Sequence, residues 1–279
     1  MKAQDYWKDA GGNPWVQLQE RTDAQLEPVG RPALERLRVR PGERVLDVGC
    51  GTGQTSVELA KRVAPGGRVV GVDIAEPMVT GARQRAQQAG LDNLELMLGD
   101  AATQRFDTPF DAIYSRFGVM FFSDPVAAFT NLHAQLKPSG RMAFVCWQAL
   151  ELNDWAFVPF AAARRLVPDQ PLPALMQPGL PGPFFFSEPE FVRQVLTGGG
   201  FQNVEIVAHD LPVHFGAAMN LSEAVDYAMQ IGPAARLIGD ADPALQPAFR
   251  AALTDAFAPY VRAEGVWMTA RSLVVSCVR

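Results

Sequence analysis

At 279 residues, 48% of them apolar, the chain has material for an α/β domain with insertions, yet no run approaches the roughly 20 apolar residues of a membrane span. A net charge of −5, with no block of Lys and Arg, argues against DNA or RNA as substrate and for a small molecule. Cys50, Cys146 and Cys277 are odd in number and far apart, which argues against a disulfide framework and fits a reducing compartment; His133, His209 and His214 form no ligand-spaced cluster, so no metal is expected.

In chain order, the first nine residues are mixed and charged and lack the apolar segment of a secretory signal, so a cytoplasmic protein is expected. Residues 14–38 carry Val16, Leu18, Leu26, Val29, Leu34 and Leu37 around Pro28 and Pro32, which predicts broken helices. Next comes Val45-Leu46-Asp47-Val48-Gly49-Cys50-Gly51-Thr52-Gly53, an apolar strand ending in a turn with three alternate glycines. Glycine tolerates positive φ and has no Cβ to hold a ligand away, so the turn implies close approach to bare backbone. A helix starting near Gln54 aims its amides at the same place. The spacing lacks the third glycine of a dinucleotide fingerprint and the Gly-Lys-Ser/Thr of a P-loop. Asp47 would also repel a pyrophosphate, whereas it suits a ligand carrying an amino group and a sulfonium.

Arg68 to Asp73 reads as a second buried strand ending in an acid, twenty positions after Gly53, where a βαβ unit places a ribose-binding carboxylate. Leu94 to Leu98 reads as a third strand, followed by Gly99-Asp100-Ala101, and Phe110 to Ser115 as a fourth. Lys137 to Gly140 reads as a turn and Arg141 to Val145 as a fifth strand. Beyond it, Asn153 to Val167 has a helical apolar pattern, and seven prolines then punctuate a stretch holding Phe184, Phe185 and Phe186. Ser187 reads as the cap of a helix that runs to Gly198-Gly199-Gly200. Asn203 to His209 and Ala270 to Val278 alternate as strands. About fifty residues with helical patterns separate them, too many for an ordinary connection, which predicts a cap.

These motifs, in this order, resemble the class I S-adenosylmethionine-dependent methyltransferases, in the branch of the ubiquinone and menaquinone C-methyltransferases. The likeness is strongest over residues 40–148. It implies a Rossmann-like α/β fold: a seven-stranded mixed sheet with one antiparallel strand, flanked by helices and topped by a helical cap. The expected organisation is one domain: a lid over 1–40, a cofactor core over 41–148, cap insertions at 149–187 and 214–265, and the remaining core at 188–213 and 266–279. Tyr6, Trp7 and Trp15 would belong to the lid or pack on the sheet edge.

The resemblance also implies the cofactor, S-adenosylmethionine, released as S-adenosylhomocysteine. Asp47, Gly49, Cys50, Gly51, Thr52, Gly53 and Thr55 would surround its methionine part. Asp73 would hold the ribose beside Ile74 and Met78, Gly99, Asp100 and Ala101 would read the adenine, and Ser115, Arg116 and Phe117 would lie beside the methyl. Relatives of the ubiquinone type place histidines just after this point. Here stand Met120, Phe121 and Phe122, which turns the expectation from a quinone precursor to an apolar floor.

The acceptor is then a small, largely apolar or aromatic molecule, contacted by Trp7, Trp147, Trp155, Phe184, Phe185 and Phe186. A sulfonium methyl is already electrophilic, so alignment and exclusion of water matter most. If a proton must be removed, His209 and His214 are the candidates, with Tyr227 or Glu223 in the cap. Arg116 would bind an acidic substituent or the cofactor carboxylate, or pair with an acid such as Asp124. The glycine turn reports binding rather than transfer, so a cyclisation or elimination on the same cofactor, or a non-catalytic binding protein, stays open. The oligomeric state is not readable.

Overall fold

A computed structural model describes residue 7, residues 12–177 and residues 179–279; Tyr6 and Pro178 lie outside the described residues. Its centre is a sheet built from β1 (Arg44–Val48), β2 (Arg68–Asp73), β3 (Leu94–Leu98), β4 (Phe110–Arg116), β5 (Leu136–Trp147), β6 (Gln202–His214) and β8 (Gly265–Val278), in the order β3-β2-β1-β4-β5-β8-β6. A two-residue β7 (Val261–Arg262) hairpins onto the start of β8. Strands β1 to β5 pair in parallel, and β8 runs antiparallel between β5 and β6. Strands β1, β2, β4 and β5 are buried almost throughout, which is why they read as apolar runs rather than alternating patterns. Among the described residues no helix is long and apolar enough to cross a membrane.

Several boundaries differ from those the sequence predicts. The leader is not broken at its prolines: Gln19–Leu37 is one helix with Pro28 and Pro32 inside it. The lost amide bonds are offset by packing, because Val29, Ala33, Leu34 and Leu37 are buried against the sheet and the Tyr114 hydroxyl donates to the Gly30 carbonyl at 3.1 Å. The Lys137 to Gly140 turn is absorbed into β5 as an irregularity, with a register shift opposite Phe110 and Ala112 and Ser139 at φ +64°. Strand β6 continues five residues past His209 despite Pro212, which an edge strand tolerates because one side of its backbone needs no partner. The helix after the phenylalanine run is Pro189–Gly198, capped at Glu188 rather than Ser187.

The two segments expected to form a cap do meet. Helix Asp154–Leu166 packs on helices Pro233–Gly239 and Gln246–Phe257. Between them and the sheet, order reverses at β1, with β2 on one side and β4 on the other, so a crevice opens at the carboxyl ends of these strands.

The Phe184 to Phe186 run does not reach that crevice. Phe186 is fully buried, its ring centroid 6.0 Å from Phe129, 5.8 Å from Phe191 and 5.5 Å from Phe185. The cluster seals helices Pro125–Gln135 and Pro189–Gly198 against β5, which satisfies the apolar run without a ligand. Phe186→Ala is therefore expected to lower the unfolding free energy by about 3–5 kcal/mol; urea denaturation checks this, and a loss below 1 kcal/mol contradicts the core assignment.

Candidate functional site

The turn after β1 is held by its own backbone. The amides of Gly49 and Cys50 both donate to the Val72 carbonyl of β2, at 2.9 and 3.1 Å. Gly49 has φ +67°, and a Cβ there would lie 2.7 Å from the Gly118 Cα at the end of β4. Gly51 is also left-handed, φ +55°, but a Cβ on it would project into open space. Gly53 at φ +83° caps helix Gln54–Val63 and abuts Ala82 rather than the cavity.

Two carboxylates, Asp47 buried and Asp73 half-buried, brace the turn. Asp73 sits at the end of β2 with one oxygen accepting from the Gly51 amide at 2.8 Å and the other from the Ala75 amide at 3.0 Å. Burial pushes its carboxyl above the ordinary aspartate range, against the pull of those amides. Asp47 lies beneath the cavity wall: one oxygen accepts from the Thr55 and Ser56 hydroxyls at 2.7 and 2.6 Å, and the other has no protein partner. Its pKa too is raised by burial. The helix carries no acid in its first turn, so its amide end keeps its positive potential.

A cavity open to solvent lies over these strand ends. Gly49, Cys50, Gly51, Thr52 and Thr55 line it beside Asp73, Ile74 and Met78. Gly99, Asp100 and Ala101 form the wall after β3. Asp100 turns an oxygen to the Ala102 amide at 3.0 Å, and the Ala101 carbonyl accepts from Asn131 at 3.0 Å.

At the far side, Phe117 follows β4 with φ +63°, and its ring stacks on Trp147 with centroids 4.1 Å apart and planes 11° from parallel. Trp147 in turn lies 4.8 Å from Trp155, whose indole N–H donates to Asn153 at 3.1 Å. Trp7 lines the cavity too, edge-on to Trp15 and Phe121 at 5.6 and 5.5 Å. Arg116 does not pair with Asp124, which caps helix Pro125–Gln135. Its guanidinium binds Asp23 at 2.9 Å and Gln54 at 2.6 Å, and Asp23 also holds Arg85 at 2.7 Å.

Other expected residues lie elsewhere. Ser115 is fully buried behind the wall, donating to the Val48 carbonyl at 2.8 Å and accepting from the Gly118 amide at 3.2 Å. His209, opposite Ser272 in the edge pairing of β6 and β8, and His214, stacked on Trp267 with a contact of 2.9 Å to the Ala218 carbonyl, do not line the cavity. The lengthened β6 carries both along the sheet edge. Glu223 is occupied as a cap, accepting from the Met219 amide and the Asn220 side chain. Tyr227 does line the cavity, with its phenol pushed up to about 12 by burial and its hydroxyl donating to Thr22 at 3.3 Å.

The sequence reading missed Thr22, Asp23, Gln25 and Leu26, which line the cavity from helix Gln19–Leu37, and Arg236, which does so from the cap. Residues 20–25 are all polar except Ala24 and read as a solvated face. Only their burial, Thr22 at 5% and Gln25 at 2% exposed, reveals the role.

Residues 40–156 match the family model described as a methyltransferase domain. The chain is also 34% identical over 201 residues to nocamycin O-methyltransferase of Saccharothrix syringae, covering 69% of this chain and 71% of that protein. The chain belongs to the class I S-adenosylmethionine-dependent methyltransferases. A demethylmenaquinone methyltransferase of Listeria welshimeri is 32% identical over 139 residues; the match spans 50% of this methyltransferase and 59% of that one. The crystal structure of the YcgJ protein from Bacillus subtilis covers 89% of this methyltransferase and 97% of its own chain, with a TM-score of 0.58 at 19% identity, and shares its fold.

The glycine geometry separates two effects in this methyltransferase. Gly49→Ala is expected to destabilise the fold by several kcal/mol, since its Cβ meets backbone. Gly51→Ala is expected to cost about 1 kcal/mol of stability yet to weaken S-adenosylhomocysteine uptake at least tenfold by filling the cradle. Thermal melts and calorimetry on both variants check the contrast.

Proposed function

We propose that this methyltransferase methylates an oxygen, nitrogen or carbon atom of a small, largely apolar or aromatic molecule, with S-adenosylmethionine as donor and S-adenosylhomocysteine as product. One observation carries the reading. The cavity runs across the sheet from the ends of β3 and β2, where polar groups converge, to the ends of β4 and β5, where the Phe117, Trp147 and Trp155 rings stack.

The residues present fit the donor. Gly49 and Gly51 leave a cradle that a Cβ at Gly51 would fill, and the buried Asp47 retains an unpartnered oxygen below it. Gly49, Cys50, Gly51, Thr52 and Thr55 would surround the methionine part, Asp73 would accept from the ribose hydroxyls between Ile74 and Met78, and Gly99, Asp100 and Ala101 would meet the adenine. When bound, the donor supplies an electrophilic methyl on a sulfonium. The aromatic wall then orients a flat acceptor by stacking and keeps water from the methyl. Arg116 and Asp23 neutralise one another at the wall and tie the leader helix to β4.

Methyl-labelled donor incubated with phenols, carboxylic acids, amines and quinone precursors is expected to give labelled product; failure of the wild-type protein to take up S-adenosylhomocysteine overturns the reading. Asp73→Asn is expected to weaken that uptake by roughly 10-fold to 100-fold, as loss of a charged acceptor does. An ionised carboxylate is the better acceptor and burial raises the pKa of Asp73, so affinity should fall with decreasing pH, beginning above the range of an exposed aspartate. Calorimetry across pH 4 to 8, a range of about four units spanning that shift, checks the direction.

A further inference from the structure

Resting on that reading, we infer that the methyl acceptor carries a carbonyl oxygen, as a ketone, quinone or ester does, and that the side-chain amide of Gln25 holds it. Gln25 lines the cavity from helix Gln19–Leu37 and is 2% exposed. Its oxygen is taken: Oε1 accepts from the Gly216 amide at 2.7 Å. One turn earlier on the same helix face, Arg21 donates to the Gly216 carbonyl at 2.6 Å, so the two side chains grip one residue from both sides. Gly216 cannot shift to suit a larger side chain, since with φ +54° a Cβ there would lie 2.4 Å from the Tyr227 ring.

The nitrogen is left over. A backbone N–H fixes which end of the amide is oxygen, so the other end is the N–H2 group. Nε2 donates to no described residue, and it is not sealed off by protein atoms. Its two donors therefore open on the cavity that Gln25 lines. A purely structural glutamine looks different: Gln135, 5% exposed, accepts from the Phe106 amide at 3.1 Å and donates to Asn131 at 3.4 Å. The hydroxyls next to Gln25 have no proton to spare, because Thr22 donates to the Leu18 carbonyl at 3.0 Å and Tyr227 to Thr22 at 3.3 Å.

The place of this amide points to the acceptor rather than the donor. The groups proposed to hold the donor lie at the ends of β1, β2 and β3. Gly216 instead follows β6, and the Ala218 carbonyl accepts from Val266 at the start of β8, the strand beside β5 and its Trp147. A molecule that covers Gln25 with hydrocarbon strands two N–H groups away from water, whereas one that sets a carbonyl oxygen there satisfies them. One polar group in a fixed place thus selects among apolar acceptors.

The test is calorimetry on the S-adenosylhomocysteine-loaded protein with acetylnaphthalene and isopropenylnaphthalene, which share one shape, the carbonyl oxygen of the first being a methylene in the second. The ratio of their affinities, ketone over alkene, is expected to fall at least about threefold in Gln25→Met, while S-adenosylhomocysteine affinity stays at the wild-type level. Gln25→Glu keeps an oxygen for the Gly216 amide and removes both donors. Measured well above the carboxylate pKa range, it is expected to lower the ratio in the same way, and it serves where Gln25→Met does not fold. An unchanged ratio in the folded variants, no ketone binding to the loaded wild-type protein, or a loss of S-adenosylhomocysteine affinity in place of the change in ratio overturns the inference and leaves the methyl-donor reading standing. Failure of the wild-type protein to load with S-adenosylhomocysteine removes both.

Discussion

The ends of β1 and β4 touch through bare backbone, and the rest of the site depends on that contact. A Cβ on Gly49 would sit 2.7 Å from the Gly118 Cα, and a Cβ on Gly118 would sit 2.6 Å from the Val48 carbonyl oxygen. Neither residue can be anything larger without separating the strands. Ser115 bridges the same two segments, donating to Val48 and accepting from Gly118. Because these are the strands at which sheet order reverses, the contact fixes how far the crevice opens and aims both the glycine turn and Phe117 into it.

Buried charge secures the surroundings. Asp47 has two hydroxyls on one oxygen, which anchors the first turn of helix Gln54–Val63 to the end of β1. Asp23 joins Arg116 of β4 to Arg85 of helix Glu76–Gln88, so the leader helix is tied to the sheet and to the helix after β2 at one point. Part-buried pairs of this kind add little net stability once desolvation is counted, whereas breaking one strands a charge. Their larger effect is positional: Thr22, Asp23 and Gln25 are held at the cavity wall rather than in solvent.

What the sequence disclosed follows from the range of the interactions involved. The glycine turn, Asp73 and the Gly99 to Ala101 segment are encoded locally, as a strand, a turn chemistry and one βαβ interval, and all reach the cavity. The cap side is assembled by contacts between residues far apart in sequence, such as Thr22 with Tyr227 and helix Asp154–Leu166 with helix Pro233–Gly239, and nothing local marks them. Aromatic composition misled in one place and served in another. Phe184 to Phe186 carry the same apolar signal as Trp147 and Trp155, yet β5 ends at the crevice whereas the phenylalanine run folds back onto helix Pro125–Gln135. The prolines of the leader misled because the sheet supplies burial that the helix alone lacks.

Phe117 shows how function and stability pull against each other at the site. Its backbone is left-handed, φ +63°, in a position where glycine would sit without strain. Holding a non-glycine residue there costs about 1–3 kcal/mol. The ring stack on Trp147 returns about 0.5–1.5 kcal/mol, and the Phe117 amide keeps its bond to the Val145 carbonyl at 3.1 Å. Glycine would spare the strain and lose the ring. The left-handed turn is also what directs the side chain over the end of β5, onto Trp147 and toward Trp155, rather than back along its own strand. The strain is thus the cost of placing a flat apolar surface beside the proposed methyl, at the one point on the wall where β4 turns away from the sheet.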